Sequence, residues 1–206
     1  MAFGVLEKKP AGVPHTEFVI YDLETTGLSS EFNEIIQIAA MKFRDGRMVR
    51  EESFFSYVKP LSTIPAFITR YTGISNAHVA DASPACEVIV QFSRFVAGAT
   101  LIAHNGQRFD SRFLEATCRR HQISTREVRS IDSIQFSRRL FGTVRGTGHG
   151  LDRVLSRLAI SSSAHARHDA RGDVELLGLA IELMWRRLQL DHFCAGIPLH
   201  KSSLPL

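Results

Sequence analysis

Two acidic residues, Asp22 and Glu24, lie at the end of an apolar run where they could hold a metal ion. In a strand over residues 18–24 alternate side chains point to opposite faces, and both faces of this run are apolar. That pattern is typical of a central strand covered on both sides. Two carboxylates beside such a core are costly to bury unless a cation joins them, and oxygen ligands suit Mg²⁺ or Mn²⁺ better than zinc. The alternative is a solvated acidic turn.

Two further acids fall on the core-facing stripes of predicted helices. Asp110 precedes Phe113 and Leu114 by three and four residues, so its side chain is predicted to point inward. Asp173 precedes Leu177 by four residues and is predicted to do the same. Either acid alone is explained equally well as a helix-start carboxylate that the helix dipole favours. Four inward acids in one domain favour a shared metal site.

One histidine, His168, is close enough in sequence to these acids to act as a base. If His168 and Asp173 were on one helix they would be about 140° apart, so we place His168 in the preceding loop with Asp169 as the helix N-cap. An imidazole is the side chain best suited to take a proton from water near pH 7. A histidine in a loop is more often only solvated, so this role depends on the acids around it.

The elements that must position these residues change in character along the chain. The patterns predict three consecutive strands with a hairpin at Asp45–Gly46, and then an alternation of helices and strands. The predicted strands cover residues 18–24, 34–43, 48–58, 100–104 and 128–131, and the predicted helices cover 84–96, 107–121, 133–141, 151–158 and 169–189. This order predicts an α/β fold with a mixed five-stranded sheet and helices on both faces.

Length and charge limit the domain count and the partners. The 206 residues, 44% of them apolar, predict one domain over residues 17–190, with a loose arm at 1–16 and a C-terminal tail at 191–206. The net charge of +4 is a mild bias toward polyanions. Residues 104–206 carry most of the surplus, with 16 basic and 10 acidic side chains.

The cysteines and the apolar runs predict a cytoplasmic chain without a membrane segment. Cys86, Cys118 and Cys194 are odd in number and widely spaced, which argues against a disulfide framework or a zinc site. No secretory signal pattern opens the sequence, and no apolar run approaches the length of about 18 residues that a membrane span needs.

Three motifs resemble the 3′–5′ exonucleases of the DnaQ-like, RNase H-like superfamily, in the DEDDh subgroup. The D-x-E-T-T-G motif matches Asp22–Gly27, the His-Asn segment leading to F-D matches Ala103–Asp110, and H-x-x-x-x-D matches His168–Asp173. The resemblance implies that Asp22, Glu24, Asp110 and Asp173 hold two Mg²⁺ or Mn²⁺ ions and that His168 is the general base. It further implies that the substrate is bound by Thr25, Thr26, Gly27, Leu28, His104, Asn105 and Phe109.

The resemblance also implies hydrolysis of DNA from 3′ ends, with single-stranded or frayed ends preferred. Many proofreading members have one residue fewer between the His and the Asp of the second motif, so this chain is closer in motif to the three-prime repair exonucleases, which implies DNA repair. The alternatives are an enzyme that trims RNA 3′ ends, a replicase proofreading subunit, and a silent nucleic-acid-binding module. Residues 189–193 faintly resemble a sliding-clamp-binding peptide; a frayed helix end is the other interpretation.

Overall fold

A six-stranded mixed sheet lies at the centre of the computed structural model, which describes residues 17–143, 148–161, 168–190, 194 and 196–206. The spatial strand order is β3-β2-β1-β4-β5-β6, with parallel pairing of β1 with β4 and of β4 with β5 and antiparallel pairing elsewhere. The strands are β1 (Phe18–Thr25), β2 (Ile35–Arg44), β3 (Arg47–Tyr57), β4 (Thr100–Ala103), β5 (Thr125–Asp132) and β6 (His200–Pro205). The predicted meander and its turn at Asp45–Gly46, where both residues have positive φ, are confirmed. The arm at 1–16 lies outside the described residues.

The prediction of five strands was wrong, because residues 200–205, which we expected in a C-terminal tail, form a sixth strand. β6 pairs antiparallel with β5 from Thr125↔Pro205 to Ser130↔His200. Ser202 and Leu204 turn inward, and the Ser93 hydroxyl on α3 (Ala85–Val96) donates to the Pro205 carbonyl at 2.6 Å. A short serine-rich segment carries little strand signal of its own, so its conformation depends on the edge of β5.

Seven helices are found in the described part of the chain. Besides α3 they are α1 (Ala66–Thr72), α2 (Asn76–Val79), α4 (Asp110–Arg120), α5 (Ile134–Phe141), α6 (Leu151–Leu158) and α7 (Ala170–Arg187). α4 begins three residues later than predicted, because Asn105 has a φ of 59° and a turn closes from the Arg108 N–H to the Asn105 carbonyl at 3.0 Å. The helix therefore begins at Asp110 itself.

β1 separates two hydrophobic cores, as its two apolar faces predicted. Phe18 and Ile20 pack with α5, α6 and α7 on one face of the sheet. Val19, Tyr21 and Leu23 pack with α3 and α4 on the other face. Both cores extend to the C-terminal end of β1, where Asp22 and Glu24 lie.

The only tryptophan, Trp185 on α7, belongs to the first of these cores. Its ring lies 5.5 Å from Phe18, 5.2 Å from Phe43 and 6.3 Å from Phe136, measured between ring centroids. Trp185 is 6% exposed. It thereby holds the C-terminal half of α7 against β1 and β2.

Two expectations about cysteines and membranes can be compared with the structure. Cys86, Cys118 and Cys194 are all free thiols. Among the described helices, none is long and apolar enough to cross a bilayer. A cytoplasmic location stays a prediction.

Candidate active site

Three carboxylates converge where the C-terminal end of β1 meets the first turns of α7. Asp22 and Glu24 come from β1, and Asp173 comes from α7, which packs on the Phe18 and Ile20 face of the sheet. One carboxylate oxygen of each residue lies within 4.8 Å of the other two. Glu24 and Asp173 are buried and Asp22 is half-buried. Their oxygen-only donor set fits a hard divalent cation.

The fourth predicted ligand, Asp110, reaches the same pocket from the other layer of helices. It is the first residue of α4, it is 3% exposed, and it lines the pocket without belonging to the group of three. Burial raises the pKa of Asp110 to about 7, and the nearby Asp132 carboxylate adds to the rise, while backbone N–H groups oppose it. A buried acid of this kind is stabilised in its charged form by a cation.

His168 lies immediately before the N-cap of α7, as predicted. Its φ is +64°, and its backbone N–H donates to the Asp173 carboxylate at 3.3 Å. The imidazole faces the pocket and packs against the Tyr71 ring at 4.0 Å between centroids. Asp169 caps the helix by accepting the Arg171 N–H at 2.9 Å. Although its partial burial acts in the opposite direction, the hydrogen bonds from Arg171 hold the pKa of Asp169 below its usual value.

The residues after β1 form a tight turn at the rim of the pocket. The Thr25 hydroxyl donates to the Gly27 carbonyl at 2.6 Å, and the Thr26 hydroxyl accepts the Glu34 N–H at 2.9 Å. A Cβ on Gly27 would lie 2.6 Å from the Asn33 amide oxygen, so a larger residue would displace the turn. Leu28 follows with 88% of its surface exposed, and its side chain stands at the pocket edge.

The second motif forms a loop that is held in place by Asp132, the last residue of β5, and by Ser133, which follows it. His104 shares a 2.8 Å hydrogen bond through Nδ1 with the Ser133 hydroxyl. The Asp132 carboxylate accepts the Asn105 N–H at 3.0 Å, which stabilises the left-handed backbone of Asn105. Asp132 and Ser133 thus position the pocket loop.

These elements enclose one pocket of about 270 Å³. Eleven of the twelve predicted site residues line it: Asp22, Glu24, Thr25, Gly27, Leu28, His104, Asn105, Phe109, Asp110, His168 and Asp173. Thr26 is the exception, since its hydroxyl is used inside the turn. Sequence reasoning missed the contribution of α1, which adds Ile68, Tyr71 and Thr72 to the lining. A short helix with exposed aromatics offers no spacing signal for a site.

A family model described as RNase_T, exonuclease, matches residues 19–179. This range covers every residue of the pocket and more than half of the chain. The chain belongs to the RNase_T exonuclease family. The exonuclease is 38% identical over 167 residues to a PolC-type DNA polymerase III of Streptococcus thermophilus and 34% identical over 175 residues to that of Streptococcus pneumoniae. The matches cover 80% and 85% of the exonuclease but only 11% and 12% of the polymerases.

Solved structures of nucleases share the fold of this exonuclease. The nuclease domain of 3'hExo, described as a DEDDh family member bound to rAMP, superposes with a TM-score of 0.71 at 19% identity, over 93% of this chain and 100% of that one. Exonuclease X in complex with 5′ overhanging duplex DNA gives 0.67 at 20% identity, over 86% and 96%. At these identities the likeness establishes an RNase H-like exonuclease fold, as the sequence predicted.

Proposed function

We propose that this exonuclease removes nucleotides stepwise from DNA 3′ ends and releases nucleoside monophosphates, using two Mg²⁺ or Mn²⁺ ions. The observation that carries the proposal is the convergence of Asp22, Glu24 and Asp173 within 4.8 Å, in a pocket that Asp110 and His168 also line. A group of acids with no Lys or Arg among the described lining residues is suited to cations and hydrolysis rather than to binding alone.

Each site residue has a distinct part in the proposed reaction. Asp22, Glu24, Asp110 and Asp173 would hold the cations, which when bound lower the pKa of a water molecule and offset negative charge on the scissile phosphate. His168 is the base that takes the proton from the attacking water. The Asp173 carboxylate orients the backbone of His168 through the 3.3 Å bond from its N–H.

The shape of the pocket supports an unpaired terminal nucleotide as substrate. A volume of about 270 Å³ suits one nucleotide rather than a base pair, and the exposed Leu28 side chain at the pocket edge is suited to contact a neighbouring base. A duplex end must first be unstacked at a cost of a few kcal/mol, so single-stranded or frayed ends are preferred. Arg108 and Arg112, both exposed beside the second motif, are suited to the phosphates upstream. Two further arginines near the motifs, Arg145 and Arg167, lie outside the described residues.

Two alternatives have an observation in their favour. The similarity to PolC-type DNA polymerases supports proofreading, and it favours DNA over RNA as substrate. One fold neighbour is described by recognition of a histone mRNA stem-loop, which keeps RNA 3′ ends as the other candidate. DNA repair remains a prediction. A sliding-clamp contact through residues 189–193 also remains a prediction, and residues 191–193 lie outside the described ranges.

A 5′-labelled single-stranded DNA tests the proposal when it is compared with the same DNA bearing a 3′-terminal phosphate and with an RNA of the same sequence. We expect a ladder of shortened products from the free 3′ end, little product from the blocked end, and none in EDTA. Asp22→Ala and Asp173→Ala should abolish turnover, while Asp81→Ala, which removes an exposed acid outside the pocket, should not. Cleavage of a closed circle or full activity in EDTA would overturn the proposal. A clear preference for RNA would favour the RNA-trimming alternative.

A further inference from the structure

Gln37 is a buried polar residue in the middle of an apolar strand. It lies on β2 directly opposite Glu24 of β1, and none of its surface is exposed. Residues opposite each other in neighbouring strands direct their side chains to the same face of the sheet. The amide therefore lies on the face that α7 covers, beside a carboxylate of the active site but outside the pocket lining.

Both polar atoms of this amide are directed at the first turn of α7. The Gln37 Oε1 accepts the backbone N–H of Ala170 at 2.8 Å, and its Nε2 lies 3.5 Å from the Asp169 carboxylate. The N–H groups of a first helical turn have no partner within their own helix, and the Ala170 N–H is one of them. Ala170 is also completely buried. Gln37 thus supplies the hydrogen bond that lets the helix begin inside the protein.

The turn that Gln37 holds carries two of the site residues. His168 immediately precedes Asp169, and the Asp169 carbonyl accepts the N–H of Asp173 at 3.0 Å. His168 has a φ of +64°, in the left-handed region that is uncommon for residues other than glycine. A shift of the Asp169–Ala170 peptide would therefore move the imidazole and the Asp173 carboxylate together.

A second contact fixes the same turn from the outside. The Arg171 guanidinium donates to the Asp169 carboxylate at 3.2 Å and lies over the Phe55 ring of β3 at 4.2 Å. Phe55 is opposite Ala39 on β2, two strands away from Asp22. Arg171 is largely exposed, so Gln37 is the buried member of the two anchors.

We propose that Gln37 is a positioning residue for the exonuclease reaction. It sets His168 and Asp173 at the correct distance from Glu24. The inference rests on the proposed function. It assigns Gln37 no contact with substrate or metal, and its effect is exerted through the first turn of α7. A displacement of about 1 Å at a catalytic group is enough to lower a rate about 10²-fold.

Gln37→Leu keeps the volume approximately and removes both hydrogen bonds. We expect kcat on a 5′-labelled single-stranded DNA to fall tenfold to a hundredfold while KM changes less than about threefold. Gln37→Glu retains an oxygen that accepts the Ala170 N–H and should retain more of kcat than Gln37→Leu. The matched control is Ser93→Ala, which removes a buried side-chain hydrogen bond on the opposite face of the sheet and should leave kcat unchanged. Equal kcat in Gln37→Leu and Ser93→Ala would overturn the inference.

A double-mutant cycle with His168→Ala separates positioning from general destabilisation. If Gln37 acts through the histidine, Gln37→Leu should lower kcat much less in the His168→Ala background than in the wild type. If the fold loss of kcat in the double variant equals the product of the losses in the two single variants, Gln37 does not act through His168. Amide hydrogen exchange at Ala170, measured by NMR, adds a readout independent of activity: Gln37→Leu should abolish its protection, and unchanged protection would refute the anchor. A wild type with no activity on any 3′ end would overturn the proposed function instead.

Discussion

His168 lines the pocket beside the acid group, and its backbone N–H donates to the Asp173 carboxylate at 3.3 Å. We predict that His168→Ala lowers kcat by about 10²–10⁴-fold, the range expected for loss of a general base. Metal binding should survive, because the four carboxylates are unchanged. Single-turnover kinetics at saturating Mn²⁺ measure the loss, and His121→Ala, at the far end of α4, is the control that should keep wild-type kcat. Retention of more than a tenth of kcat would make His168 a bystander.

Asp110 is predicted to weaken the fold when no metal is bound. Burial raises the pKa of the Asp110 carboxyl from 3.8 to about 7. The contribution of the neutral carboxyl to the free energy of unfolding is therefore fully present below about pH 4, and it is lost as the pH rises through about 7 and the buried group ionises. Asp110→Asn removes this penalty. In EDTA at pH 8 the variant should unfold at a higher temperature than the wild type, by at least the 2–4 °C that about 1 kcal/mol produces in a chain of this size.

The same variant should be inactive, and its advantage in stability should shrink toward pH 4. Thermal unfolding at pH 8 and pH 4, each in EDTA, measures the sign of the effect. An Asp110→Asn protein that is less stable than the wild type at pH 8 would contradict the raised pKa.

At the scale of elements, β6 closes the edge of the sheet that β5 would otherwise expose. Removing residues 200–206 would free the β5 edge and delete the Ser93–Pro205 and Gln107–His200 contacts. We expect a fall in unfolding temperature of several degrees and a tendency to aggregate, because an open edge pairs with other chains. Lys201→Ala, which removes only an exposed ion pair with Glu127, should change stability by less than about 0.5 kcal/mol. Thermal unfolding with light scattering tests both.

The strands and helices that the sequence predicted best are those with a strong local pattern. β1 was predictable because two apolar faces and two terminal acids occur within one short run. β6 was not, because Ser202 and Leu204 offer only two inward positions and its partner strand is far away in sequence. The start of α4 was misplaced because the left-handed backbone of Asn105 has no clear signature in the sequence.

The site was predictable in its charged residues and less so in the residues that hold them. An acid on a core-facing position is conspicuous, because its burial needs a partner. Gln37, inside the apolar strand β2, and Asp132, at the end of β5, obey the same rule, since each is a buried polar residue. Their partners are backbone N–H groups of other elements, Ala170 and Asn105, which only the folded structure brings close.

At the scale of the whole molecule, divalent cations should stabilise the fold. Three carboxylates within 4.8 Å repel one another when charged, and a cation that binds only the folded state adds about 2.7 kcal/mol at a hundred times its Kd. We expect Mg²⁺ or Mn²⁺ to raise the unfolding temperature of the wild type by roughly 5–10 °C. Asp22→Ala should lose most of this rise, while Asp81→Ala should keep it. An equal rise in NaCl of matched ionic strength would mean that screening alone is responsible.

The uneven charge of the chain predicts a salt-dependent affinity for single strands. Each phosphate that a basic residue neutralises contributes a slope of about −0.7 to the plot of log affinity against log salt concentration. Arg108→Ala and Arg112→Ala should each make the slope shallower by about that amount. Arg50→Ala, which removes an exposed arginine on β3 near the Asp45–Gly46 turn, should leave it unchanged. Filter binding of a labelled oligonucleotide measures the slopes, and EDTA in the buffer prevents turnover.

Trp185 gives the molecule an optical reporter for only one of its two cores. Its indole is enclosed by Phe18, Phe43 and Phe136, so intrinsic emission responds when α7 leaves the sheet. The opposite core, with α3, α4 and β6, contains no tryptophan and does not contribute to tryptophan emission. Its helices and strand contribute to the far-ultraviolet circular dichroism. The two signals therefore coincide during denaturation if β1 makes both layers unfold as one unit, and they separate if one layer dissolves first. A single chromophore thus turns the two-sided packing of β1 into a measurement of cooperativity.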